Sequence, residues 1–260
     1  MHQNTYKNIN MKTNNLFNLV FYNESKDTLI YQYIYKVIKS SSPTQRLPVL
    51  IFTPNPEQIM LAHRNSEFAS ALQSADILIP DGVGVVAASK FLAVCGKGAA
   101  IRERISGIDL FQNIVERFPE TKSVVIGGHS NTRVTVSGVA IPSLSAYQRV
   151  QVPTEGEEKL VDAFLTKERP EVVFVAFGAP YQEYWAIRHR AQLEKVGVKL
   201  VMVVGGAADV LSGKLKRAPK LFRSLGLEWL FRLIQEPWRW KRQLNLVQFI
   251  ALTLRTALRD

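Results

Sequence analysis

The sequence predicts an α/β protein: a mostly parallel, Rossmann-like sheet with flanking helices, followed by a basic helical C-terminal appendage. Two observations carry this. Short apolar runs such as Val49-Leu50-Ile51-Phe52 and Ile77-Leu78-Ile79 each end in a proline or glycine turn that opens a helical pattern. That repeat of strand, turn and helix is the pattern of a parallel sheet with crossovers. The second observation is charge: of a net +11, a share of +8 lies in 214–260, where eleven Lys/Arg face three Asp/Glu.

Bulk composition sets the remaining bounds. At 260 residues with 47% hydrophobic and 21% charged content, the chain can bury a proper core in one large domain or one domain with an appendage. A single cysteine, Cys95, excludes an internal disulfide and a cysteine-rich metal site, and reads as a small buried residue on an apolar helix. No apolar run approaches the ~20 residues that span a bilayer. Met1 to Asn15 is polar and Asn-rich, without a signal-peptide core, and is read as a disordered lead-in. The domain reading is therefore 1–15 lead-in, 16–213 α/β domain and 214–260 appendage.

The elements follow in order. Leu16 to Tyr22 is a first strand and Asp27 to Lys39 a helix, with Leu29, Ile30, Tyr33, Ile34, Val37 and Ile38 on its apolar side. After the strand Val49 to Phe52, Pro56 starts a helix carrying Ile59, Met60 and Leu61. The strand Asp76 to Ile79 leads to an apolar helix from Val83 to Val94, ended by Gly96-Lys97-Gly98. Ser106 caps a helix to Phe118, with Asp109 in its first turn. Ser123 to Ile126 is a strand ending in Gly127-Gly128, a turn suited to phosphate. His129 to Pro153 shows no clear period. Glu155 to Thr166 and Pro180 to Lys195 are helices, and Glu171 to Phe177 and Lys199 to Val204 are strands. In the appendage, helices are expected from Ser224 to Glu236 and from Trp238 to Arg259, separated at Pro237. Leu244, Val247, Ala251, Leu254 and Leu258 form an apolar stripe, with Arg239, Lys241 and Arg242 beside Trp238 and Trp240 at its start. Such a helix suits a membrane surface or a packing face on its own domain or a partner.

Two strand-end turns hold the candidate chemistry: Thr53-Pro54-Asn55-Pro56-Glu57-Gln58 and Pro80-Asp81-Gly82-Val83-Gly84. In open α/β sheets ligands bind at that carboxyl edge. Asp81 is placed there as a candidate general base, and its plainer reading is a helix cap. Thr53 and Asn55 offer uncharged hydrogen bonds, although Thr-Pro and Asn-Pro are also ordinary turn formers. His63 and His189 lack ligand-spaced partners, and no Asp-x-Asp occurs, so neither metal nor other cofactor is expected.

These turns also carry a resemblance. Thr-Pro-Asn-Pro-Glu and Pro-Asp-Gly-x-Gly are similar to motifs of the WecG/TagA/CpsF family of bacterial glycosyltransferases. Further matches follow in the same order. They are Arg104-Ile105-Ser106-Gly107-Ile108-Asp109-Leu110, Phe177-Gly178-Ala179-Pro180-Tyr181-Gln182-Glu183 and Val204-Gly205-Gly206-Ala207-Ala208-Asp209. Lys216-Arg217-Ala218-Pro219 and Gly226-Leu227-Glu228-Trp229-Leu230-Phe231-Arg232-Leu233 complete the set, which spans about Leu16 to Arg242.

The resemblance implies a metal-independent, inverting transfer of an N-acetylhexosamine, in the manno form or its uronate. The donor would be a UDP-sugar and the acceptor an N-acetylglucosamine on a polyprenyl diphosphate, in cell-surface polymer synthesis. It implies that Thr53 and Asp81 are active-site residues, Asp81 taking the proton of the acceptor hydroxyl. Asn55, Arg104, Gly127, Gln182 and Gly206 would bind substrate, and Asp209 would bind substrate or cap a helix. Arg217, Arg232, Arg239 and Arg242 would hold the leaving diphosphate in place of a metal. The implied location is cytoplasmic, against the anionic inner face of the plasma membrane; self-association stays open. The chain departs from the family at Tyr181, usually basic, and over 129–153, where a Gly-aromatic motif is missing; the second departure bears on the donor sugar.

Two other classes compete. Gly82-Val83-Gly84-Val85-Val86-Ala87 fits a dinucleotide fingerprint, but Glu103, at the distance of its ribose-binding acid, follows no strand. A nucleic-acid module would use the basic tail with salt-sensitive affinity. The apolar stripe fits that poorly, and no nucleic-acid partner is expected.

Overall fold

The computed structural model describes residues 11–40, 47–128, 133–207, 210, 216–224, 226–237 and 240–258, without the side chains of residues 220, 224, 232, 241 and 242. Among them are the strands β1 (Thr13–Leu16), β2 (Leu19–Tyr22), β3 (Val49–Phe52), β4 (Ile77–Leu78), β5 (Ser123–Gly127), β6 (Arg133–Val136), β7 (Val139–Leu144), β8 (Val172–Ala176) and β9 (Leu200–Val203). They form one sheet in the order β1-β2-β4-β3-β9-β8-β5-β7-β6. All neighbours from β2 to β7 run parallel, and only β1 on β2 and β6 on β7 are antiparallel. The mostly parallel α/β expectation is met, and a hairpin closes each edge.

The strands alternate between two cores. Leu50, Phe52, Val173 and Val175 face one apolar cluster with Ile59, Phe68, Val85, Trp185 and Phe249. Val49, Ile51, Val172 and Phe174 face another with Ile30, Ile34, Leu110, Phe111 and Ile114. A strand buried on both faces must read as a continuous apolar run, and these do. Registration is helped at the amino ends by Asp76, whose Oδ2 accepts the Leu50 N–H at 2.7 Å and pairs with Arg190 at 2.5 Å.

Several boundaries differ from the sequence reading, each for a local reason. The single strand expected over Leu16–Tyr22 is a hairpin turning at Phe17 and Asn18, both at positive φ (53° and 64°). That turn carries no glycine, so no sequence signal marked it. Its first strand starts at Thr13, within the stretch read as lead-in. The stretch without clear period holds the β6–β7 hairpin, turning at Ser137-Gly138 with φ of 51° and 83°. The helix expected over Pro180–Lys195 breaks at His189 into Tyr181–Arg188 and Arg190–Lys195. The first appendage helix, expected from Ser224, starts at Glu228 and runs to Gln235, preceded by a separate short helix Lys220–Ser224 with Gly226 at φ 73° between the two. Cys95, expected to be buried, is exposed at the C-cap of Val83–Val94, because that helix's core-facing residues end at Leu92.

The C-terminal helix Trp240–Leu258 has two apolar sides. Phe249 is 2% exposed, touches Phe17 edge-on at 5.5 Å and lies in the core beneath Val83–Val94. The other side carries the predicted stripe. Leu244, Val247, Leu254 and Leu258 are 53%, 64%, 48% and 84% exposed, so the chain's own domain does not cover them. Among the described residues no helix is long and apolar enough to cross a membrane.

Candidate active site

β3 lies beside β9 in the middle of the sheet, and the Thr53 loop leaves the carboxyl end of β3 there. In open α/β sheets ligands bind at that edge. The Thr53 Oγ1 donates to Val203 O at 3.5 Å, across that seam. Asn55 caps helix Pro56–Arg64: its side chain accepts the Gln58 N–H at 3.1 Å, and Gln58 Oε1 accepts the Asn55 N–H at 3.1 Å. The reciprocal pair is a capping box, with Pro56 at the first helical turn. Asn55 keeps its Nδ2 donors unengaged among the described residues.

Asp81 is half-buried in the neighbouring loop. Its N–H donates to Pro54 O at 3.3 Å, and the Ile105 N–H donates to Pro80 O at 3.1 Å, so three loops are laced together. Gly107 shows where their side chains converge. A Cβ there would lie 3.5 Å from Thr53 Oγ1 and 3.6 Å from Asp81 Oδ2. Gly107 also opens helix Gly107–Arg117, capped by Ser106, so the positive end of a helix dipole faces a hydroxyl and a carboxylate. A hydroxyl, a carboxylate and a partial positive charge meet at one point.

Gly127 ends β5 at φ 96°, and a Cβ on it would lie 2.8–2.9 Å from Phe177 and the Ala176 backbone. Packing alone therefore requires glycine there. Gln182 is 3% exposed and accepts the Gly205 N–H at 2.9 Å, so it shapes the Gly205-Gly206 turn from beneath. Beside it Glu183 is fully buried, and burial pushes its carboxyl up to about 7.

The appendage docks over this edge. Gly226 lies flush on Val83, where any Cβ would come within 2.7 Å of Val83 Cγ2. Arg104 pairs with Glu228 of the appendage, and Arg217 pairs with Asp109. Arg217 also donates to Gln112 Oε1 at 3.3 Å. The Nε atoms of Arg104, Arg217 and Arg223 are buried without a partner among the described residues. Asp209 and Arg239 lie outside the described residues, as do the side chains of Arg232 and Arg242.

The dinucleotide alternative fits poorly. The space over Gly82 and Gly84 is taken by Pro56, 3.3 Å and 3.0 Å from their missing Cβ atoms, and Leu246 and Phe249 close over Gly84. Glu103 bonds the Lys26 N–H at a helix start rather than ending a strand. Sequence reasoning passed over Gly107, Gln58, Arg223 and the burial of Glu183. Only Gln58 carried a readable signal, three residues after a capping asparagine.

An open α/β sheet whose hydroxyl and carboxylate converge at its carboxyl edge has its polar chemistry where such sheets bind ligands. Sequence comparison supplies the class. The family model described as "Glycosyl transferase WecG/TagA/CpsF family" matches residues 15–260. This chain belongs to that glycosyltransferase family. It is 29% identical over 249 residues, 94% of this chain and 91% of the relative, to the N-acetylglucosaminyldiphosphoundecaprenol N-acetyl-beta-D-mannosaminyltransferase of Bacillus subtilis (strain 168). Proteins of the same name from Bacillus spizizenii (30% identical, covering 81% of this chain and 80% of the relative) and Staphylococcus aureus strain MW2 (31%, covering 75% and 74%) are also similar.

Proposed function

We propose that this chain transfers N-acetylmannosamine from its UDP conjugate to N-acetylglucosamine carried on a polyprenyl diphosphate, with inversion at the anomeric carbon. The observation that carries the reading is the convergence of Thr53 Oγ1 and Asp81 Oδ2 at Gly107. The names of the similar proteins supply the substrate class. In this reaction the acceptor oxygen attacks the anomeric carbon as the bond to the UDP phosphate oxygen breaks. Asp81 takes the hydroxyl proton, Thr53 orients the acceptor or donor by a hydrogen bond, and the charge left on UDP goes to guanidinium groups. Arg104 and Arg217 stand at the docked appendage, paired with Glu228 and Asp109 and with side chains 22% and 24% exposed, so their remaining exposed N–H donors are assigned to the diphosphate. Arg232, Arg239 and Arg242 are assigned the same role from sequence, as are Asn55, Gly206 and Asp209 at the sugar or uridine.

The acceptor's polyprenyl tail keeps its sugar near a bilayer. The uncovered stripe Leu244–Leu258, with Trp240 at 56% exposure, supports docking on the anionic inner face of the membrane. The test is transfer from UDP-N-acetylmannosamine to a lipid-linked N-acetylglucosamine analogue, with product stereochemistry read by NMR. Asp81→Asn should lower kcat by about 10²–10⁴-fold while leaving donor binding unchanged. Retention of configuration, or near-normal turnover by that variant, would remove the proposed mechanism.

A further inference from the structure

Beneath the catalytic edge, Glu183 Oε1 accepts two carboxamide donors at once, Gln58 Nε2 at 3.0 Å and Gln182 Nε2 at 2.9 Å. Each glutamine then uses its oxygen on a different loop. Gln58 Oε1 accepts the Asn55 N–H at 3.1 Å, and Gln182 Oε1 accepts the Gly205 N–H at 2.9 Å. A carboxamide has nearly the same shape in both flips, so packing alone does not choose between them. An acceptor-only oxygen between the two amides does choose. It forces both Nε2 groups inward and both oxygens outward, towards the two backbone donors.

We propose that Glu183 is a positioning residue of the transferase: its buried carboxyl sets the orientation of Gln58 and Gln182, and through them the loops carrying Asn55 and Gly205. The proposal rests on the catalytic reading of the β3, β4 and β9 loops. Glu183 touches no substrate, being fully buried with Gln58 and Gln182 at 8% and 3% exposure. Its Oε2 has no partner among the described residues, so the site holds a carboxyl where an apolar side chain would have avoided a buried orphan. One acceptor oxygen is what the arrangement uses, and a neutral acid or an amide supplies it as well as a carboxylate.

The experiment compares wild type, Glu183→Gln and Glu183→Leu in the full chain by two independent readouts. The first is the side-chain carboxamide NMR signals of Gln58 and Gln182, which need no substrate. The second is kcat and donor KM for UDP-N-acetylmannosamine with the lipid-linked analogue. Glu183→Gln keeps an acceptor oxygen, so the Gln58 and Gln182 carboxamide signals should keep their wild-type positions, and kcat and KM should stay within about threefold of wild type. Glu183→Leu should displace both carboxamide signals and lower kcat by about 10²-fold with a smaller change in KM, the signature of misplaced loops. Wild-type spectra and kinetics in Glu183→Leu would overturn the proposal, as would a Glu183→Gln protein as impaired as Glu183→Leu. Where Glu183→Leu does not fold, the Glu183→Gln result alone decides. Absence of transfer by wild type would count against the substrate assignment, while the NMR comparison would still decide the role of Glu183.

Discussion

Single atoms decide whether the carboxyl edge works. Gly107 has room for a methyl group, since 3.5 Å and 3.6 Å are ordinary contacts, but that methyl would stand between Thr53 and Asp81. Gly107→Ala should therefore keep the wild-type melting temperature within a few degrees and lose about 10²-fold in kcat/KM; steady-state kinetics beside a thermal melt checks this. Glu183 makes a prediction about pH. Burial raises its carboxyl from 4.5 to about 7, with Gln182 and the backbone opposing and no charged group contributing. The folded state then binds the proton more tightly than the unfolded chain. The stability associated with that proton is complete below about 4.5, is lost as pH rises to about 7 and changes no further above it. Chemical denaturation from pH 4.5 to 8 should show this decline in wild type and not in Glu183→Gln. A decline of equal size in both would assign it to other groups.

At the scale of elements, the central question is how the appendage is held. Gly226 at φ 73° sits against Val83, and the ion pairs Arg104–Glu228 and Arg217–Asp109 flank it. The pairs are roughly one-fifth to two-fifths exposed, so each is worth at most about 1 kcal/mol after solvent screening. Steric fit at Gly226 is the larger effect, about 1–3 kcal/mol for an added methyl in a filled space. Gly226→Ala should thus loosen the appendage, raise hydrogen exchange across 216–235 and reduce transfer about tenfold or more. The double variant with Val83→Ala removes the nearest colliding atoms and should recover part of the loss. Equal exchange in Gly226→Ala and wild type would show that the contact does not hold the appendage.

For the whole molecule, the two-sided C-terminal helix connects the core to the outside. Phe249 and Leu246 hold it on Val83–Val94, next to the Asp81 turn, while Leu244, Val247 and Leu254 point outwards. Changing those three to Glu leaves the core contacts intact. It should release the protein from anionic vesicles, lowering partitioning more than about 10²-fold from lost apolar burial alone, with transfer to a short soluble acceptor preserved. Vesicle binding that survives the triple change would point to a partner subunit as the occupant of the stripe.

The sequence by itself determined the layers of this protein. Apolar runs of four residues bounded by proline and glycine turns read as strands buried on both faces, and the cap at Ser106 and the proline at Pro56 start helices where they were read. It also brought out Thr53 and Asp81, because a polar side chain at the carboxyl end of a buried strand has the crevice as its outlet. It was silent on the turn at Phe17-Asn18, since non-glycine residues at positive φ leave no compositional mark there, and the Ser137-Gly138 turn was passed over although its glycine at φ 83° is a turn signal. Only the tertiary structure placed Gly107 against Asp81, turned the stripe away from the domain and buried Glu183 beneath two glutamines. Those facts depend on residues up to 125 positions apart in the Gln58–Glu183 bond and 124 in the Arg104–Glu228 pair. Local periodicity carries no information about which distant faces meet; that follows from the order in which the strands assemble.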